Sequence, residues 1–155
     1  MKVAARYFEE ITTEDSFGYV SPIIYLQGCS IKCEGCHNKS LWIPGEGKEV
    51  TKERILQRIS QSAFEYKAVT FQGGEPLDQM SDLLWLLHRI QLRGTKTIVY
   101  TGHIWEEIPT IVKCKCDILK CGPYGSDQSV YYRIPLLKTV PHFQYKEVKH
   151  AIDNE

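Results

Sequence analysis

Gly28-Cys29-Ser30-Ile31-Lys32-Cys33-Glu34-Gly35-Cys36-His37 sets three thiols at spacings of four and three, immediately after the apolar run Ile23-Ile24-Tyr25-Leu26. An apolar run this short, bounded by Pro22 and Gly28, predicts a buried strand over residues 22–27. The cysteines therefore stand on a loop at the strand's C-terminal end. Six cysteines occur in the chain, and Met1 to Glu10 carries charges where a secretory signal needs an apolar segment. Metal ligands, reactive thiols or reduced core residues are thus expected rather than a disulfide framework.

Outward from this loop the pattern alternates. Ile55, Ile59 and Ala63 share one helical face with Leu56 and Phe64 beside them, and Thr51 stands as the cap, predicting a helix that ends near Glu65. Residues 68–72 predict a second strand, closed by Gly73-Gly74 and by Pro76, which cannot continue a ladder. Residues 77–92 predict a helix with Leu83, Leu84, Leu87 and Ile90 on its apolar face and Gly94 as its stop. A third strand follows over residues 95–101, a short helix interrupted by Pro109 over residues 104–112, and a fourth strand over residues 117–120.

Strand alternating with helix indicates an α/β fold with mostly parallel strands. Right-handed crossovers would put the strand ends after Gln27, Gln72 and Thr101 on one edge of the sheet, where ligands of such folds bind. After the turn Gly125-Ser126-Asp127, residues 130–134, 136–140 and 143–148 read as irregular strands or a wrapping tail. A single domain over residues 1–155 is expected, with its core at about residues 15–130 and a wrapping segment at about 131–155.

The chain has 155 residues, 43% hydrophobic and 25% charged, which suits one folded domain and excludes wholesale disorder or a fibrous repeat. Lys plus Arg and Asp plus Glu number 19 each, so no net field favours nucleic acid or an acidic membrane. No run approaches the roughly 18 apolar residues needed to cross a bilayer. A cytoplasmic protein engaging neither nucleic acid nor membrane is expected.

Thiolate chemistry offers two readings of Cys29, Cys33 and Cys36. Zinc would take all three with His37 as the fourth ligand, although adjacent Cys36 and His37 chelate awkwardly. A [4Fe-4S] cluster would take the three cysteines and leave one iron open for a substrate to chelate, and no fourth cysteine lies nearby. Gly73-Gly74-Glu75-Pro76 alone is an ordinary strand-to-helix turn. Following the cysteine motif, it resembles the second landmark of the radical S-adenosylmethionine superfamily.

That resemblance implies a partial, open (β/α) barrel of the radical S-adenosylmethionine type, with Cys29, Cys33 and Cys36 as the catalytic cluster ligands. It implies that S-adenosylmethionine binds the open iron, with the Gly73-Gly74-Glu75 backbone along its amino group and glycine there to admit that approach. One electron then breaks a sulfur–carbon bond and releases a 5′-deoxyadenosyl radical.

More narrowly, Gln27-Gly28-Cys29 and Cys33-Glu34-Gly35-Cys36-His37-Asn38-Lys39-Ser40-Leu41-Trp42 resemble the activating proteins of anaerobic ribonucleoside-triphosphate reductases. The resemblance continues through residues 71–77, Tyr100-Thr101-Gly102, Asp117-Ile118-Leu119, Gly122-Pro123-Tyr124 and Gly125-Ser126 with Gln128. It implies a glycyl radical made on the large subunit of such a reductase, an electron donor as a second partner, and Gly35, Cys36, His37, Asn38, Gly73, Gly74, Glu75 and Thr101 about the cofactor. The short chain implies an open sheet edge for the partner's glycine loop, pyruvate formate-lyase activators being longer.

Two positions depart from that family. Gly18-Tyr19-Val20 and Ser21-Pro22 stand where relatives carry Gly-x-Arg, and Cys121 stands where an acidic residue commonly precedes Gly122. Neither an arginine contact nor a carboxylate role is carried over. The alternatives are a small-molecule radical enzyme similar to 7-carboxy-7-deazaguanine synthase, against which Asn38-Lys39-Ser40 and Trp42 argue, and a non-catalytic zinc-binding interaction module.

The remaining candidates have plain readings too. His37 would tune the cluster or touch the adenosyl group, or be a solvated loop histidine; Trp42 would organise the loop or cover the core. Thr101-Gly102 is a cofactor contact or a common turn, and Trp85 with Leu83 to Leu87 is helix core. Cys114 and Cys116, if on a strand, would face one side and Cys121 the other, so the three would not converge without His103, His142 or His150. They are expected as core or surface thiols.

Overall fold

Apolar residues on both faces of four successive strands produce a sheet buried on two sides. The computed structural model of this chain describes residues 1–5, 7–62, 65–126, 128–133 and 143–145. The strands are β1 (Lys2–Val3), β2 (Ile11–Thr12), β3 (Ser21–Leu26), β4 (Lys48–Glu49), β5 (Ala68–Gly73), β6 (Lys96–Thr101), β7 (Ile118–Cys121), β8 (Ser129–Arg133) and β9 (Phe143–Tyr145). They make one open mixed sheet in the order β4-β1-β3-β5-β6-β7-β8-β9, with β2 paired to β3 off that path. The central strands β3, β5, β6 and β7 are parallel, in register through Leu26↔Gly73, Phe71↔Val99 and Thr101↔Cys121. The flanking pairs are antiparallel.

Three helices fill the crossovers: α1 (Lys52–Ser60), α2 (Met80–Gln91) and α3 (Thr110–Lys115). Because the parallel strands are laid down in sequence order, right-handed crossovers put all three on the same face. Ile55, Ile59, Leu83, Leu86, Leu87, Ile90 and Val112 form one core with Ile24, Leu26, Val69, Phe71, Val99 and Leu119. The alternate strand positions Ala68, Ile98 and Ile118 face the other way and pack with Val130, Phe17, Tyr19 and Tyr100. Because β3, β5 and β6 run parallel, their C-terminal ends share one edge.

Element ends differ from the sequence expectation for local reasons. Thr51 does cap α1, its hydroxyl accepting from Arg54 N at 3.2 Å, but α1 closes at Ser60 rather than near Glu65 because Gln61 leaves helical geometry at ψ 0°. Ala63 and Phe64 lie outside the described residues. The helix expected over residues 77–92 is divided into a 3-10 turn, Pro76–Gln79, and α2. Pro109 likewise separates the 3-10 turn Trp105–Glu107 from α3, since it cannot supply a helical N–H. Of the expected wrapping segment, residues 131–133 complete β8 and residues 143–145 form β9; residues 134–142 and 146–155 lie outside the described residues. Among the described residues no helix is long and apolar enough to cross a membrane.

Candidate functional site

The cysteine loop leaves β3 and returns to its own start. Gly28 N donates to Leu41 O at 2.7 Å and Cys29 N to Trp42 O at 3.2 Å. The Gln27 side chain closes the neck, its Nε2 donating to Ser40 O and Ile43 O at 2.9 Å each. Within the loop, positive φ at Lys32 (52°) and Gly35 (72°) turns the chain sharply. Cys29, Cys33 and Cys36 are half-buried, and all six cysteines are free thiols.

The backbone already supports the last of these sulfurs: Asn38 N donates to Cys36 Sγ at 3.3 Å, a contact of the kind that tunes iron–sulfur centres. Burial pushes the Cys29 thiol up, with Glu75 and Asp78 adding to the rise and the backbone N–H groups of Lys32 and Ile31 opposing it. A metal binding there would have to displace that proton, since the thiolate is the ligand.

The second loop is built against the first, backbone to backbone. Gly74 N donates to Leu26 O at 2.9 Å and Glu75 N to Gly28 O at 2.8 Å. A Cβ at Gly74 would come within 2.0 Å of Gly28 O, and Gly73 adopts φ +112° with Leu26 backbone atoms 2.9 Å from its own would-be Cβ. Sequence reasoning assigned these glycines to the approach of a ligand. They also admit the close approach of the end of β3 at Leu26 and of Gly28 at the start of the cysteine loop.

Glu75 then reaches the third loop. Its side chain is 1% exposed, and its carboxylate accepts from Thr101 Oγ1 at 2.8 Å, Leu77 N at 2.9 Å and Gly102 N at 2.9 Å. Burial pushes this carboxyl up, and the three hydrogen bonds offset part of the rise. Gly102 in turn presses on the cysteine loop, where an added Cβ would lie 2.7 Å from Ile31 Cδ1 and 3.7 Å from Cys33 Sγ. Cys29, Cys33, Cys36, Gly35, Gly73, Gly74, Glu75 and Thr101 are thereby brought to one edge of the parallel strands.

A fourth loop joins them through His37, whose exposed ring sits with Nε2 2.7 Å from the Tyr124 hydroxyl and ring centroids 4.8 Å apart. Asn38 contributes through its backbone contact with Cys36. Sequence reasoning missed Tyr124 as the partner of His37, Ile31 as the contact of Gly102, and Asp78, which binds Ser30. Tyr124 stands inside the Gly122-Pro123-Tyr124 stretch and Asp78 two residues after Gly73-Gly74-Glu75-Pro76, which is the one signal that pointed to them. Trp42 Nε1 is buried without a hydrogen-bond partner among the described residues.

Cys114, Cys116 and Cys121 are placed elsewhere, and the strand assumed for the first two is corrected. Cys114 lies in α3 and Cys116 is its C-cap, because Pro109 starts a new helix that runs on to Lys115. Cys116 and Cys121 are buried in the helix-side core, and burial foremost, then the charge of Glu106, pushes the Cys121 thiol up to about 11. His142 and His150 lie outside the described residues. Among the described residues no three His, Cys, Asp or Glu side chains are grouped to hold a single metal ion.

Three soft sulfur donors on one half-exposed loop, with an N–H directed at one of them and no fourth cysteine on that loop, fit a cubane with an open corner better than a four-ligand zinc ion. The family model described as a 4Fe-4S single cluster domain matches residues 18–130. The pyruvate formate-lyase-activating enzyme of Clostridium pasteurianum is 31% identical over 87 residues, covering 54% of this chain and 37% of that protein. The anaerobic ribonucleoside-triphosphate reductase-activating protein of Escherichia coli strain K12 is 29% identical over 92 residues, covering 55% and 60% respectively. The pyruvate formate-lyase-activating enzyme of Listeria monocytogenes serovar 1/2a is 33% identical over 85 residues, covering 50% and 33%. The matched segment thus spans less than two thirds of each of these relatives.

Proposed function

The chain belongs to the 4Fe-4S single cluster domain family, and we propose that it is a radical S-adenosylmethionine activase that generates a glycyl radical on the large subunit of an anaerobic ribonucleoside-triphosphate reductase, a reading supported by the activating enzymes among its relatives. The observation that carries this proposal is the convergence of the cysteine loop, the Gly73-Gly74-Glu75 turn and Thr101-Gly102 around one buried carboxylate.

Cys29, Cys33 and Cys36 would hold the [4Fe-4S] cluster, and Gly35, His37, Asn38, Gly73, Gly74, Glu75 and Thr101 would border S-adenosylmethionine. When bound, the pair supplies a one-electron cleavage that yields a 5′-deoxyadenosyl radical. The chain's own residues position and shield. Gln27 closes the neck of the cysteine loop, Asn38 N–H supports the Cys36 sulfur, and Glu75 locks the second loop to the third.

We read the open sheet as a partial (β/α) barrel whose helix-free face would receive the cofactor and the partner's glycine. By strand alternation that face carries Tyr25, Gln72, Tyr100 and Lys120. Gln72 Nε2 donates to Asp15 Oδ2 at 3.3 Å and the Tyr100 hydroxyl to Asp15 O at 2.9 Å, giving a polar lining beside the motif edge. Glycine suits such a site because no side chain hinders the approach of its α-carbon. The whole chain, residues 1–155, would act as one domain in the cytoplasm with a one-electron donor, engaging neither nucleic acid nor membrane.

The test is anaerobic incubation of the iron-loaded chain with S-adenosylmethionine, a reductant and a candidate reductase large subunit, read by electron paramagnetic resonance. A glycyl signal on the reductase is the expected result. The pyruvate formate-lyase activators among the relatives favour one second reading, so a pyruvate formate-lyase belongs in a parallel arm. Formation of 5′-deoxyadenosine with neither glycyl signal would redirect the activity to a small-molecule substrate. Colourless protein with stoichiometric zinc would overturn the proposal.

A further inference from the structure

Asp78 lies outside both motifs, yet both oxygens of its carboxylate are engaged by the cysteine loop. Ser30 N donates to Oδ2 and Ser30 Oγ to Oδ1, each at 2.7 Å. Ser30 directly follows Cys29, so this grip fixes the peptide that carries the first thiol. An exposed carboxylate usually contributes little, because holding a mobile side chain in place offsets what the contact gains.

Here the support is rigid. Asp78 sits in the Pro76–Gln79 turn, whose start is held by Glu75 Oε1 accepting from Leu77 N at 2.9 Å. Its end is held by Gln79, whose Oε1 accepts from Lys2 N at 2.6 Å and whose Nε2 donates to Lys2 O at 2.8 Å and Gln27 O at 3.2 Å. Gln79 thus anchors the turn to β1 and to the residue two before Cys29. With its start bonded through Glu75 N to Gly28 O at 2.8 Å and its end through Gln79 to Gln27 O, the turn brings Asp78 to Ser30 in a set geometry.

We propose that Asp78 is a positioning residue for the iron–sulfur cluster: it orients Cys29 through Ser30, and its negative charge beside Cys29 disfavours the added electron and so makes the reduced cluster a stronger reductant. This rests on the proposal that Cys29, Cys33 and Cys36 hold a [4Fe-4S] cluster. The electrostatic part follows from sign alone, since a fixed anion opposes one-electron reduction of a nearby centre. The geometric part follows from the hydrogen bonds that orient ligands, whose loss weakens metal retention.

The test reconstitutes the full chain anaerobically with ferrous iron and sulfide as wild type, Asp78→Asn and Ser30→Ala. Asn keeps the size but removes the charge and turns an amide toward a Ser30 donor. Asp78→Asn is expected to lose iron to a chelator about tenfold faster and to show a reduction potential shifted to more positive values. Ser30→Ala, which keeps the charge and the backbone bond, is expected to lose iron faster than wild type with its potential unmoved. An Asp78→Asn protein matching wild type in both iron loss and potential overturns the proposal. Should that variant fail to fold, Ser30→Ala decides through its iron-loss rate, with a wild-type rate counting against the role. A wild-type chain that assembles no cubane removes the cluster assignment as well, whereas an intact wild-type cubane with an indifferent Asp78 removes only this inference.

Discussion

The carboxylate of Glu75 and the hydroxyl of Thr101 meet at 2.8 Å with the two residues 1% and 5% exposed, joining the ends of β5 and β6 inside the protein. The same carboxylate takes the N–H groups of Leu77 and Gly102. One buried anion thereby sets the relative position of two of the loops that border the cysteines.

Replacing that anion by an amide leaves a donor facing donors. Glu75→Gln is expected to lower the unfolding free energy by about 1–3 kcal/mol, the cost of buried groups left unpaired. Chemical denaturation of the apo chain measures it, and a change within error would mean that the three donors find other partners.

The same residue gives a pH dependence with a definite sign. Burial holds the Glu75 carboxyl above its ordinary value, so between the unfolded and folded values the folded chain binds the proton more tightly. This contribution to stability is fully present below the unfolded value and is lost as pH rises through the folded one. Denaturation at a series of pH values on wild type and Glu75→Gln should show that slope in the first and not in the second.

Backbone contact between the first two loops makes Gly74 intolerant of a methyl group. A Cβ there meets Gly28 O at 2.0 Å, whereas a Cβ at Gly45 meets nothing within 4 Å and needs no positive φ. Gly74→Ala is expected to cost at least about 2 kcal/mol, and Gly45→Ala no more than about 0.5 kcal/mol. Equal melting temperatures for the two variants would contradict the close approach.

The two groups of cysteines should separate cleanly in iron analysis. Cys29→Ser, Cys33→Ser and Cys36→Ser are each expected to abolish the brown chromophore of the reconstituted protein, while Cys114→Ser and Cys121→Ser keep it. Cys121→Ser introduces a hydroxyl into the helix-side core and should cost about 1–3 kcal/mol without iron loss. Iron lost from Cys121→Ser, with the fold intact by circular dichroism, would place that thiol at the cluster.

Stability and cofactor retention should also come apart at the opposite end of the strands. Asp117 Oδ2 accepts from Thr97 N, Thr97 Oγ1 and Gln91 Nε2 at 2.9 Å each, tying β6 and α2 to the start of β7. Asp117→Ala is expected to lower stability by about 1–3 kcal/mol, with iron per folded chain unchanged.

Much of the frame was legible in the residues. Strands β3, β5 and β6 fall within one residue of the expected ranges, because short apolar runs bounded by Gly and Pro are local signals. Helix ends were less legible: the apolar repeat that ran on to Ala63 and Phe64 could not show that Gln61 leaves helical geometry. The helix expected over residues 104–112 gives no sign that it restarts at Thr110 and runs on through Cys114, because six residues between Pro109 and Cys116 are too few to display a helical period.

By itself, the amino-acid order determined the thiol spacing, the glycine turn and the alternation that lays parallel strands in sequence, because these depend on neighbours along the chain. Only the folded molecule decided that Glu75 would hold Thr101, that Asp78 would grip Ser30 and that His37 would meet Tyr124, pairs separated by 26, 48 and 87 positions. Such contacts depend on which strand ends the register and crossovers bring to a common edge, and no local spacing encodes that.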